Sequence, residues 1–177
     1  MFENYLEDAH YFAAQAEIYK GDSSTARRYY RASIVSAWSA VESFLNFVGD
    51  FLQKDPRCPP YEVALMTDKA FRLNGGLFKI TDQPEYHRPE DKVKFLLAKF
   101  MPQYDLAHNA SWSALVEFKK RRDSLVHSRS ETDTTELDEY EAIVKRGLSA
   151  TVGIVDDLCI ATFGRSLRQR VKDLGLY

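Results

Sequence analysis

Residues 24–54 carry apolar side chains at every third or fourth position, and this stretch constrains the fold more than any other. Ile34, Val41 and Val48 form one row, Ala37, Phe44 and Phe51 a second, and Trp38, Leu45 and Leu52 a third. Rows at this spacing share one side of an α-helix and make a wide apolar stripe, as a core-facing bundle helix requires. At 1.5 Å per residue the helix is about 45 Å long, with Gly49 as a place for a bend.

The rest of the chain repeats the pattern. Residues 3–20 bring Tyr5, Phe12 and Tyr19 into line at intervals of seven, beside Leu6 and Ala13. Gly21 ends that helix, and Asp22 or Ser23 can cap the next. Residues 111–128 place Leu115, Phe118, Arg122, Leu125 and Arg129 on one face. Residues 136–163 repeat Leu137, Val144, Thr151 and Leu158, with Thr134 or Thr135 as cap and Gly164 as stop. Most glycines and prolines fall between positions 49 and 102. There the spacing predicts short helices over 61–73 and 89–100. Residues 77–80 read as a brief extended piece with no second strand to pair with, and the tail from 165 to 177 as one or two further turns. The expected fold is therefore all-α: one domain over 1–177, an antiparallel, up-and-down bundle of four long helices. Short extra helices lie in a connecting segment inserted at about 55–110.

Composition narrows the function. Lys+Arg number 24 and Asp+Glu 26, a formal charge of -2, which excludes a chain coated in positive charge such as a DNA-packing protein. Cys58 and Cys159 read as two reduced thiols. No signal peptide is recognised at the acidic N-terminus, and the longest run without a charged residue, 106–116, is 11 residues. A membrane span needs about 20 apolar ones, so the expectation is a cytoplasmic protein with no membrane partner. Phosphate-binding loops of the GxxxxGK(S/T) or GxGxxG kind, HExxH and GxSxG are absent. The four histidines have no metal-ligand spacing, so neither cofactor nor metal is expected.

The chemistry then falls to residues 119–129, which hold five cations and one acid: Lys119, Lys120, Arg121, Arg122 and Arg129, with Asp123. An arginine on a core-facing stripe, as Arg122 is, is costly unless it meets an anion. His127 follows five residues later, and Asp123, four residues before it, is within reach to orient and charge its ring. A cation, a histidine and a carboxylate suit RNA cleavage, because RNA supplies its own 2′-OH nucleophile. The enzyme has only to move protons and stabilise the phosphoryl charge. A basic run near a helix C-terminus is also favoured by the helix dipole alone.

The stretch Arg122-Asp123-Ser124-Leu125-Val126-His127 resembles the Arg-x4–6-His signature of HEPN domains. Trp112, Leu115 and Phe118 precede the arginine as in that family's third core helix. The run from Ala37 to Asn46, with its acid at Glu42, resembles the second. The resemblance covers about residues 3–163. It implies a helical bundle, usually a homodimer, whose paired motifs form a metal-independent endoribonuclease used as a toxin or in phage defence. His127 would be the general acid/base, Arg122 the phosphate clamp and Asp123 the orienting group. Glu42, Arg121, Ser128 and Arg129 would support them, and an antitoxin or regulatory protein would be a partner. One branch of the family is controlled by adenylylation of an Arg-x4-His-x-Tyr tyrosine, and Arg129 stands at that position here. Other members are catalytically inactive modules that bind nucleotides or proteins.

Three further charge clusters have two readings each. Arg27, Arg28 and Arg31, interleaved with Tyr29 and Tyr30, suit single-stranded RNA by charge and stacking, as do Lys119 and Lys120 by charge; equally, the tyrosines pack and the cations are solvated. Arg165, Arg168, Arg170 and Lys172 extend an RNA path or merely solubilise the tail. Residues 131–141 hold six acids, either a solvated helix start or a pairing surface that shields the basic run when no RNA is bound.

Overall fold

The computed structural model describes residues 1–126 and 133–174. Among these the chain is mostly helical, in the order α1 (Phe2–Ile18), α2 (Ser23–Lys54), α3 (Pro60–Met66), β1 (Lys69–Asn74), β2 (Leu77–Pro84), α4 (Pro89–Phe100), α5 (Ala110–Val126), α6 (Leu137–Phe163) and α7 (Gln169–Leu174). It divides into two compact units, residues 1–41 with 103 onward, and residues 42–102. No helix among the described residues is long and apolar enough to cross a membrane.

The first unit has a core drawn from four helices. Ala9, Ala13 and Ala16 come from α1, Tyr30, Ile34 and Ala37 from α2, Phe118 from α5, and Tyr140, Ile143, Val144 and Leu148 from α6. The start of α2 is fixed by Asp22, whose carboxylate accepts the backbone N–H groups of Ser24 and Thr25 at 3.1 and 3.2 Å. This satisfies two of the donors that a helix start leaves open. Gly147 lies against the Phe118 ring, and a Cβ there would stand 2.0 Å from Cδ2 of that ring. The α5–α6 packing thus depends on a missing side chain. Gly164 ends α6 with a φ of 65°. The tail forms α7, and its cations face α1: Arg168 pairs with Glu3 and Glu7, and Arg170 with Glu7 at 2.8 Å. Two of the tail cations are therefore structural ties.

Neither Thr134 nor Thr135 caps α6, whose N-cap is Glu136 without a side-chain bond. The cause is a competing turn: Asp133 accepts the Thr135 N–H at 3.2 Å, and the Thr135 hydroxyl accepts from Arg121.

The second unit departs further from expectation. The helix expected over 61–73 stops at Met66, and Lys69–Asn74 is a strand that pairs antiparallel with Leu77–Pro84. The extended piece at 77–80 thus has its partner. Two features shape the hairpin that replaces the rest of the helix. Asp68 adopts a left-handed φ of 53°, and Gly75 and Gly76 at +60° and +80° close a two-residue turn of the primed type that suits hairpins. Phe71 pairs with Ile80 and Leu73 with Phe78, so one face of the ribbon is apolar while Arg72 and Lys79 share the other. Gly49, the expected place for a bend, serves close approach: a Cβ there would lie 3.0 Å from the Met66 carbonyl oxygen. The hairpin base is held by Asp68, which accepts from the buried Lys92 at 2.6 Å and from the His87 N–H at 2.9 Å.

Gly147→Ala should destabilise the protein by about 1–3 kcal/mol, the usual cost of overpacking, read as a lower denaturant midpoint with unchanged slope. Asp68→Ala should cost about 2 kcal/mol by stranding the Lys92 charge, whereas Lys92→Met should cost clearly less because it removes the charge as well.

Candidate anion-binding site

Every third or fourth residue of a helix shares a face, so Arg27, Arg28 and Arg31 emerge together from the first turns of α2. In the first unit they meet Arg121 from α5 around a cleft of about 700 Å³, whose wall also includes Ser23, Ser24, Ser124, Leu125, Asp133 and Thr134. The tyrosines between the arginines turn inward: Tyr30 is buried and Tyr29 packs against the core. Arg28 is exposed, while Arg27, Arg31 and Arg121 are half-buried. The opening of α2 adds the positive end of its dipole to the same wall.

Asp133 is the negative centre of this cleft. Its carboxylate accepts from Arg31 Nε and Nη2 at 3.1 and 2.8 Å and from Arg121 Nη2 at 3.1 Å. The Tyr140 hydroxyl also donates to it. Arg27 Nη1 donates to the Asp133 backbone carbonyl at 3.4 Å. Arg121 is steadied from below, with its guanidinium 4.7 Å from the Tyr140 ring centre. Burial by itself would raise the Asp133 carboxyl, but the hydrogen bonds from Tyr140 and Thr135 and the Arg121 charge outweigh it, and the group ionises well below the usual carboxylate range. Burial, and then the bond to Asp133, push the Tyr140 phenol upward. The Nε atoms of Arg27 and Arg121 are buried with no hydrogen-bond partner among the described residues. Buried donors in that state favour an anion with several oxygens.

The structure brings together Arg27, Arg28, Arg31 and Arg121 among the residues expected at a site. Arg122 and Asp123 do not line the cleft. Arg122 Nη1 lies 3.2 Å from Asp123, which also pairs with Lys119 at 2.7 Å. Burial raises the Asp123 carboxyl, and Lys119 and Arg122 more than offset it, so it stays ionised below its ordinary range. Lys119 is half-buried and Lys120 exposed, both outside the cleft wall. Glu42 is half-buried on the part of α2 that belongs to the second unit. His127, Ser128 and Arg129 lie outside the described residues. Tyr140 is not among the residues singled out in the sequence, and it reaches the site because the turn before α6 brings Asp133 back to its hydroxyl. His10, buried in α1, is held down to about 4 by burial and lies off the cleft.

No family model matches the chain, and neither a curated protein nor a solved structure does.

The depressed Asp133 carboxyl predicts a pH dependence with a definite sign. Its folded value lies below the unfolded one, so the stabilisation is complete above about pH 5 and is lost as the pH falls through 4 and below. Urea unfolding at pH 7 should show Asp133→Asn less stable than the parent by on the order of 2 kcal/mol, with the gap closing toward pH 2.

Proposed function

We propose that this protein is a HEPN-type endoribonuclease that binds RNA phosphates in the arginine cleft. The observation that carries the reading is the convergence of Arg27, Arg28, Arg31 and Arg121 on one cleft at the start of α2. In this reading α1, α2, α5 and α6 form the antiparallel bundle of that family, supported by the core they share. The arginines hold a phosphodiester, and the 2′-OH of the same nucleotide attacks its phosphorus. The P–O5′ bond breaks, leaving a 2′,3′-cyclic phosphate and a 5′-hydroxyl. His127, which follows α5 directly in the chain, takes the 2′-OH proton or supplies one to the leaving oxygen. Arg122 and Asp123 secure the last turns of α5, and a second copy of the chain completes the site.

The cleft size favours a second reading. A volume of about 700 Å³ is in the range that encloses a small ligand, so a catalytically inactive HEPN module binding a single nucleotide would use the same arginines.

Incubation of the purified protein with single-stranded and structured RNA, in EDTA, should yield fragments ending in cyclic phosphate. His127→Ala should abolish cleavage and keep RNA binding. Arg27→Ala/Arg28→Ala should weaken binding by about tenfold or more and flatten its salt dependence. Nucleotide binding with intact RNA would assign the inactive module, and cleavage by His127→Ala at the parent rate would sink the enzyme reading.

A further inference from the structure

We propose that Asp133 is a built-in competitor at the arginine cleft: its carboxylate occupies Arg31 and Arg121 in the free protein, and a bound phosphate takes its place. This rests on the reading of the cleft as a phosphate site and concerns its regulation.

Asp133 stands where a ligand oxygen would. It belongs to the cleft wall, it takes the Arg31 fork through both Nε and Nη2, and it shares Arg121. It precedes α6 and lies outside any helix, so its backbone is not held by a helical ladder, and its displacement also releases the Tyr140 hydroxyl and the Thr135 N–H. The donors around it keep other contacts when the carboxylate leaves. Arg121 remains over the Tyr140 ring, and Arg31 Nε is 3.4 Å from the Tyr140 hydroxyl. Both arginines thus keep a contact with Tyr140, and an incoming anion takes over from Asp133 the neutralisation that lets them stand together. A pyrophosphate, or successive phosphodiesters of an RNA strand, brings more charge and more acceptor oxygens than one carboxylate, enough to engage Arg27 and Arg28 as well. Weakly charged or small anions do not repay the exchange, so the competitor sets a threshold that favours polyphosphate and RNA over solitary carboxylates.

The test is a titration of the full chain with pyrophosphate and with a fluorescent RNA oligonucleotide, at fixed salt. Parent, Asp133→Asn, Glu139→Gln and Arg28→Ala are compared. Glu139 is exposed and outside the cleft wall, so its variant reports the loss of one negative charge without loss of the competitor. Asp133→Asn should bind both probes about tenfold more tightly than the parent, despite its lower stability, and Glu139→Gln should match the parent within about twofold. Arg28→Ala should weaken binding. Equal gains in Asp133→Asn and Glu139→Gln would reduce the effect to net charge and overturn the inference. Equal or weaker binding by Asp133→Asn would make Asp133 a structural tie only, leaving the phosphate site itself standing. Absence of binding by every form would overturn both. If Asp133→Asn does not fold, the side-chain N–H resonances of Arg31 and Arg121 in the parent decide. They should shift on adding pyrophosphate if the carboxylate is displaced, and unchanged signals in a bound complex would overturn the inference.

Discussion

Three helices of the first unit meet at one carboxylate. Asp133 draws a cation from α2, a cation from α5 and a hydroxyl from α6 to the same two oxygens. Two arginines this close would otherwise repel, and partial burial would sharpen the repulsion. Their proximity is therefore a consequence of the acid between them. The same acid displaces the expected threonine cap of α6 by holding the Thr135 N–H in a turn of its own.

The long helices were legible because their apolar rows persist for many turns. The stop at Gly164 was legible for another reason, since a glycine that can take up a left-handed φ acts locally. The hairpin was not. Ala70, Phe71, Arg72 and Leu73 are too few to separate a helical from an alternating pattern, and the strand becomes visible only when 71–74 are set opposite 77–80. A strand needs a partner for its identity, and one-dimensional spacing does not carry partners.

The site was legible in pieces. The arginines of α2 and the acids before α6 stand out as charge clusters. What the sequence does not reveal is that Arg31 and Asp133, 102 positions apart, share two hydrogen bonds. Helical phase mattered as well. Arg121 and Arg122 are adjacent in sequence but about 100° apart around α5, so one joins the cleft and its neighbour pairs with Asp123. The apolar stripe singles out Arg122, whereas the cleft uses the residue beside it.

The hairpin of the second unit has a different kind of consequence. A lone two-stranded ribbon is marginal in water, and Leu73, Leu77 and Phe78 near its tip are exposed. Its security comes from its base, where α3 packs on both strands and Lys92 of α4 binds Asp68. The tip of this short motif thus presents its apolar side chains to water while its base is tied to α3 and α4, with the Asp68–Lys92 pair marking where the tied part begins.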